Sequence, residues 1–512
     1  MTLALPFRLP ASRNVQMLLL AIVLMAAAAV ISTVYRKPRP WRADEVPVTF
    51  WAWRNQTPSE QDLFEAIEKA RARAIFQRAG QIDYQNGKLV RIRPVSGQLP
   101  ICVDLHLVYN ATQTLLTNLE NIDEKALAQA IAEALREDLN RAAQDNALAV
   151  GIQIDFDVPT RLLKKYERIL RLLRAELKPG TKLSITGLPT WMQSRDLAST
   201  LNQVDFWVPQ FYGADIPERL DQIIPISSTN SLESFVNSAR KLDKPFYAGL
   251  AAYGYGLLYN PAGALITLRG DVDATVVATD PNLELIDKRS FEPAKLGSEW
   301  RYVYRARADG VTDKLAMHAG DVLVLDLPTA ESLRASARTV RELAGEKLLG
   351  ICIFRLSAFD DPATLTTEQV AVALADQDSA PEFKIRLVSD EKRTHTWMLE
   401  VENRGSAGAI DLRVEVPMEP GTIESLKPER GVSLETTCLL RGADTNQPCS
   451  QNRANVIRMM APGLRPGQTC RALLVLKTAP PNVVPVSIET QTDAGTPYLN
   501  RLEIPVESGA KR

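Results

Sequence analysis

Histidine and cysteine are scarce, three and five in 512 residues. No CxxC, HxxH or HExxH spacing occurs, so a zinc site is not expected. An excess of charge is lacking too. Lys+Arg 60 against Asp+Glu 61 leaves a net charge of −1, without the bulk basic field that a nucleic-acid partner calls for. No GxGxxG follows a strand and no P-loop is present, so neither metal nor nucleotide nor any other cofactor is expected. Glycine (26) and proline (32) are too few for long low-complexity linkers. What remains is ordinary globular composition, 45% apolar and 24% charged. The length allows about three domains at roughly 150 residues each.

The N-terminus holds the one long apolar stretch. Val15 to Tyr35 carries no charge and is mostly Leu, Ile, Val, Met and Ala. Twenty such residues at about 1.5 Å each span the ~30 Å hydrocarbon core of a bilayer. Arg8 and Arg13 precede the run; Arg36, Lys37, Arg39 and Arg42 follow it. It reads as an uncleaved signal anchor or as a signal peptide cut near Ala26–Ala29. Its continuation through Val30–Val34 is long for a cleaved segment and favours the anchor. The larger basic cluster lies on the C-terminal side, which by itself argues for a cytoplasmic body.

The middle of the chain alternates strand and helix. Apolar runs of strand length fall at Val46–Trp53, Ala74–Ala79, Ile101–Tyr109, Ala149–Asp157, Lys182–Leu188, Val204–Tyr212, Pro245–Ala252 and Leu348–Leu356. Near-continuous apolar runs mark strands buried on both faces. Helices are predicted at a Thr57-Pro58-Ser59-Glu60 capping box carrying Leu63, Phe64 and Ile67. Others are predicted over Ala126–Ala143, Thr160–Leu177, Ser231–Leu242, Thr329–Ala344 and Thr367–Ala375. Eight strands with helical connections predict an α/β fold, a (β/α)8 TIM barrel, over residues 41–376. Between the second and third strands there is no helix, only a hairpin at Asp83–Arg93 around Asn86-Gly87.

Over seventy extra residues, 254–328, separate the seventh strand from its helix. A stretch this long is rarely structureless. Its β-like runs at Ala264–Leu268, Ala274–Ala278, Trp300–Ala306 and Asp321–Leu327 predict a β-rich insertion on the face where barrels place their sites. From residue 382 to 512 the pattern is strands only: Phe383–Val388, Thr396–Val401, Asp411–Val416, Asn455–Met460, Arg471–Lys477 and Val484–Thr490. These predict a C-terminal antiparallel β-sandwich. It would bind glycan or protein, or serve as a spacer. Cys438 and Cys449 flank a polar loop; they pair if the compartment is oxidising, with Cys470 as competitor, and otherwise remain free thiols.

Candidate chemistry sits at strand ends. In Gly151-Ile152-Gln153-Ile154-Asp155-Phe156-Asp157, alternation puts Gln153, Asp155 and Asp157 on one face. Polar groups in a row on a buried strand are costly unless they line a cavity. Two carboxylates about 7 Å apart along a strand perturb each other. Asp155 and Asp157 are thus either an acid–base pair or structural groups that cap a loop or pair with Arg78. The sixth strand offers Gln210 and Tyr212 on one face, and the third offers Asp104 and His106, the latter a core residue or a site residue. Trp51, Trp53, Trp191 and Tyr253 fall near strand ends, as platforms for sugar rings or as core aromatics.

These residues carry a resemblance. The fourth strand resembles the D-G-x-D-x-D-x-E signature of glycoside hydrolase family 18, the chitinase-like barrels. Gly151, Gln153, Asp155 and Asp157 take its Gly, second Asp, third Asp and Glu positions. Val204-Asp205-Phe206 through Gln210-Phe211-Tyr212 is similar to V-D-x-x-x-x-M-x-Y, Ala248-Gly249-Leu250 to Tyr253-Gly254 to G-L-P-x-Y-G, and Gly350–Phe354 to the last-strand G-x-x-x-W. Together these cover roughly residues 46–376. Phe50-Trp51-Ala52-Trp53, Arg78-Ala79-Gly80, Leu188-Pro189-x-Trp191 and Gln210-x-Tyr212 look closer still to an uncharacterised bacterial domain family grouped with those barrels. The departures are Gln153 for Asp, Asp157 for Glu, Gln210 for Met and Phe354 for Trp.

The resemblance implies a glycoside hydrolase acting on a polysaccharide or oligosaccharide. In it Asp157 would protonate the leaving oxygen, and Asp155 and Tyr212 would hold an acetamido group that attacks the anomeric carbon. Gln153, Gln210, Trp51, Trp53, Trp191, Tyr253, Arg78, Asp104 and His106 are the expected substrate-binding residues. The altered acid and the lost Trp leave a non-catalytic glycan-binding or scaffolding barrel as the alternative. A polysaccharide partner places the body outside the cytoplasm, as a membrane-anchored periplasmic protein held by residues 1–40 or secreted after cleavage.

Overall fold

Eight of the apolar runs fold into parallel strands that close on one another. The computed structural model describes residues 39–213, 215–290, 300–358, 361–390, 392–429, 431–439, 447–450, 453–492 and 496–507. The barrel strands are β1 (Val48–Ala52), β2 (Ala72–Gln85), β4 (Asp104–Ala111), β5 (Ala149–Asp155), β6 (Lys182–Gly187), β7 (Phe206–Pro209), β8 (Phe246–Ala251) and β16 (Leu348–Phe354). Each pairs in parallel with the next, and β1 closes the ring by pairing with both β16 and β2. The predicted (β/α)8 fold is the one observed. The hairpin is present as well: β3 (Lys88–Ile92) returns antiparallel along β2. Its turn puts Asn86 and Gly87 at φ 50° and 79°, the left-handed pair that a two-residue hairpin turn demands.

The strands' outward faces pack against an amphipathic helical ring. Helix Glu124–Asp145 buries Leu127, Ile131 and Leu135, the predicted spacing of four, and starts at Asp123, whose carboxylate accepts from Ala126 N at 2.8 Å. The first helix begins later than the Thr57 box suggests. Ser59 is the N-cap of Glu60–Glu68 and accepts from Asp62 N, because the Thr57 amide is taken by the Ser96 carbonyl. On that helix Leu63 and Ile67 pack inward while Phe64 is 58% exposed; a one-residue step turns a side chain about 100° around the axis.

The insertion is a five-stranded antiparallel sheet in the order Leu265–Arg269, Tyr255–Tyr259, Val322–Leu327, Trp300–Ala306, Leu283–Ser290. Its strands are β9 (Tyr255–Tyr259), β10 (Leu265–Arg269), β11 (Leu283–Ser290), β12 (Trp300–Ala306) and β15 (Val322–Leu327), with a hairpin of β13 (Gly310–Thr312) and β14 (Leu315–Met317) between the last two. The run Ala274–Ala278 is a helical turn and not a strand, because the Asp273 side chain caps the Thr275 and Val276 amides. One face of the sheet packs Tyr255, Leu257, Val303 and Val324 against Tyr212 and Ile226 beside the barrel mouth; the other packs Leu258, Tyr302 and Tyr304 into a second core.

The C-terminal strands enclose their own core, including Leu387, Leu399, Val414, Ile457, Leu474 and Ile488. Two antiparallel sheets meet through Pro497–Glu507, which runs antiparallel to Val483–Thr492 and parallel to Phe383–Ser389. Cys438 and Cys449 form a disulfide, and Cys470 is free. The Arg465 guanidinium donates to the carbonyls of Asp361 and Thr364, tying this region to the segment after β16. Among the described residues no helix is long and apolar enough to cross a membrane; the run from Val15 to Tyr35 lies outside the described residues apart from the sequence itself.

Candidate functional site

Alternation sends every second side chain of a barrel strand into the lumen, and register sets its height. His106 lies opposite Gly151, Val108 opposite Gln153, and Asn110 opposite Asp155. The mouth is formed by the C-terminal strand ends. The expected site residues therefore separate into two groups.

The lower lumen is a plug of rings. Phe76 stacks on His106 at 4.5 Å and meets Phe206 and Tyr247 edge-on. Above it Trp51 Nε1 donates to Gln153 Oε1 at 2.6 Å, both side chains fully buried. Gly249 makes room there: a Cβ at that position would stand 2.7 Å from the Pro209 carbonyl oxygen and 3.4 Å from the Trp51 ring. Burial pushes the His106 imidazole down to about 4, so it is neutral at physiological pH. Asp104 is exposed at the N-terminal end of β4, away from the mouth. Trp191 is fully buried, and its Nε1 donates to the Val158 carbonyl at 2.8 Å, propping the loop that follows Asp157. Trp51, Gln153, His106, Asp104 and Trp191 are thus not on the mouth surface where the sequence reading puts them.

The upper lumen is polar. Asp155 accepts from Thr186 Oγ1 at 2.6 Å. Burial first, then the charge of Asp157, pushes its carboxyl up to about 7, while Thr186 and Arg78 pull it down. Asp157, two residues further out, is exposed at the mouth. The protein atoms gathered around it still raise its carboxyl by withdrawing part of its hydration. Arg78 donates through Nε to Asn110 Oδ1 at 3.2 Å and lies 5.1 Å over the Trp53 ring.

Opposite stands an aromatic group centred on Phe354. Phe354 meets Trp53 at 5.4 Å and Tyr253 at 5.2 Å and stacks with Tyr212 at 5.9 Å. Burial, Tyr253 and the two aspartates hold the Tyr212 hydroxyl well above the usual phenol range, so it stays a donor. Gln210 follows β7 at the same end, bridged by its backbone to Gly249. Asp155, Asp157, Arg78, Tyr212, Trp53, Tyr253 and Gln210 are the expected residues that the fold brings to this end.

Two polar members were not read from the sequence. Asn110 continues the phase of Asp104 and His106, but the predicted strand stops at Tyr109, one residue short. Thr186 alternates with Leu183 and Ile185 on β6 and is opposite Asp155, since Ile154 pairs with Ile185. Among the described residues no group of three or more His, Cys, Asp or Glu is placed to hold a metal ion.

A carboxyl held near neutrality beside a second, exposed one is an arrangement suited to giving and taking a proton. In comparison with known proteins, no curated protein matches the chain. Among solved structures it is similar to the spore cortex-lytic enzyme SleL of Bacillus cereus, at 16% identity over 65% of this chain and 74% of that one, with a TM-score of 0.42. It is also similar to a chitinase of Chromobacterium violaceum (14% identity, 64% of this chain and 98% of that one, TM-score 0.44). A third likeness is to a glycoside hydrolase family 18 N-acetylglucosaminidase of Paenibacillus barengoltzii (12%, 64% and 99%, TM-score 0.40). Residues 111–283 match a family described as "Domain of unknown function (DUF3142)".

Proposed function

We propose that the barrel hydrolyses a glycan by acid catalysis at its mouth. The observation that carries this is the Asp155–Asp157 pair: one carboxyl half-buried and raised to about 7, the other raised and open to solvent. Near neutral pH such a pair holds one proton between its members, because two adjacent carboxylates repel. Asp157, the outer one, delivers that proton to the leaving glycosidic oxygen as its bond to the anomeric carbon breaks, and water, directly or after the sugar's own acetamido oxygen, takes that carbon. Arg78, beside Asp155, offsets the second negative charge left behind. The Tyr212 hydroxyl and the Trp53, Tyr253 and Phe354 rings border the sugar, whose apolar faces suit aromatic surfaces. The body works outside the cytoplasm, anchored by the run Val15–Tyr35. The uncharged length of that run supports this, as does the Cys438–Cys449 disulfide, a bond that persists in oxidising compartments.

One observation favours a second reading, a glycan-binding or scaffolding barrel without turnover. Gln153, at the position of a family Asp, is fully buried and its oxygen is taken by Trp51, so the strand presents two polar groups to the mouth and not three. A hydrolysis screen of the purified chain on envelope and capsular polysaccharides and on chito-oligomers separates the two. Reducing ends released by the wild type but not by Asp157→Asn support the hydrolase. Oligosaccharide binding with no release in any case supports the second reading.

A further inference from the structure

One wall of the mouth carries two cations. Arg78 stands at the upper end of the lumen face of β2. The hairpin brings a second there: Ile92 pairs with Gln81, so Arg93, the next residue, comes back level with Gly80, close above Arg78. Arg93 adopts φ 49°, a left-handed turn off the end of β3 that a non-glycine residue rarely makes. It is exposed.

The donors of Arg78 meet only neutral oxygens. Nε goes to the Asn110 amide oxygen at 3.2 Å and Nη1 to the Trp53 carbonyl at 3.4 Å. Among the described residues Nη2 has no protein acceptor, and neither Arg78 nor Arg93 forms a salt bridge. Burial and the repulsion of Arg93 both lower the Arg78 pKa. The Asp155 carboxyl answers part of this charge, but a pair that keeps one proton offers a single negative charge to two guanidinium groups. Two guanidinium groups that share one carboxylate charge leave a cation unanswered, and a ligand oxyanion between them removes that excess. Arginine forks match planar oxyanions in paired hydrogen bonds.

We propose that Arg78 and Arg93 form an anion subsite at the mouth and that the glycan is acidic, bearing an oxyanion on a sugar ring seated beside Trp53. The chemistry fits the carboxylate of a uronic acid or a sugar phosphate. The inference rests on the mouth being a glycan site, but not on that site being catalytic.

The test is a binding titration of the full chain with three tetramers of N-acetylglucosamine: neutral, oxidised to the carboxylate at C6, and phosphorylated at C6. Each is measured at about 25 mM and about 250 mM salt, which alters screening severalfold. At low salt at least one anionic tetramer is expected to bind about tenfold or more tighter than the neutral one, a difference that is large against ordinary scatter. The preference should shrink with salt and fall to about threefold or less in Arg93→Gln and in Arg78→Gln. Arg93→Gln is the safer variant, because Arg93 is exposed while Arg78 also holds Asn110. Whichever anionic tetramer binds tighter names the source of the oxyanion. Equal binding of neutral and anionic tetramers, or a preference that survives both substitutions, overturns the subsite even if the neutral tetramer is hydrolysed. Anion-dependent binding without hydrolysis keeps the subsite and overturns the catalytic reading alone.

Discussion

The two ends of the barrel lumen are lined by the same strands in the same alternating phase, yet they are built for opposite ends. His106 and Asp155 show the contrast on neighbouring strands. His106 is buried and Asp155 half-buried, and desolvation shifts each toward its neutral form, His106 down to about 4 and Asp155 up to about 7. At the lower level the result is an uncharged ring stacked on Phe76, its Nδ1 without a partner among the described residues. At the upper level it is a carboxyl whose ionisation falls within the working range, beside a second carboxyl and an arginine. Burial fills one end and tunes the other. The difference lies in neighbours: rings around His106, and Thr186, Asp157 and Arg78 around Asp155.

The largest expected effect is at the upper end. Asp157→Asn should lower kcat on a substrate from the screen by about 10²–10⁴-fold, the usual worth of a positioned acid. Binding of the same glycan should change by no more than about threefold. Full activity in this variant would remove Asp157 as the acid.

Next is the layer between the two ends. Trp51→Phe removes the donor to Gln153 and leaves a buried oxygen unpaired, which costs about 1–3 kcal/mol. Chemical denaturation should show that loss. An unchanged midpoint would mean that the Trp51–Gln153 bond does not hold the lumen together.

The third test sharpens the contrast through pH. Between about pH 4 and pH 7 an unfolded-state aspartate has lost its proton while Asp155 in the folded protein keeps it. The folded state then binds more protons, so this group makes stability fall as pH rises, by at most about 1.4 kcal/mol per unit. The effect is absent below the unfolded value and complete above about 7. Asp155→Asn should remove that slope and raise Tm at alkaline pH, since the amide oxygen still accepts from Thr186. The same slope in variant and wild type would show that Asp155 ionises normally.

The smallest effect is expected at the bottom. His106→Phe should keep the stack on Phe76 and change stability by less than about 1.5 kcal/mol, as a volume-conserving core swap does. Activity should be unchanged. A shifted pH profile of turnover in this variant would connect the two ends and break the comparison.

The sequence shows which side chains enter the lumen far better than it shows their depth. Period two places Asp104, His106, Gln153 and Asp155 on inward faces, but height depends on strand register, which pairing settles. Asp104 and His106 are low, and Gln153 meets Trp51 at mid-level. Asn110, at the height of Asp155, was missed because the apolar pattern ends before it. The barrel itself was legible because all eight strands are near-continuous apolar runs. The turn at Ala274–Ala278 reads as a strand because five small and β-branched residues conceal the decisive feature, the Asp273 cap. Edge strands such as Leu283–Ser290 and Ile423–Pro428 carry too many polar residues to stand out. Arg93 gave no signal at all, because its place at the mouth comes from the hairpin's return.

The carboxyl pair can be observed without any substrate. Aspartate labelled with 13C at the carboxyl carbon, titrated by NMR from about pH 3 to about pH 9, reports each ionisation, and Asp155→Asn and Asp157→Asn assign the two signals. One member of the pair should titrate near pH 7, and that midpoint should move down when its partner is replaced by Asn. Two independent midpoints near the ordinary aspartate value, unmoved by either substitution, would contradict a mouth that holds a catalytic proton.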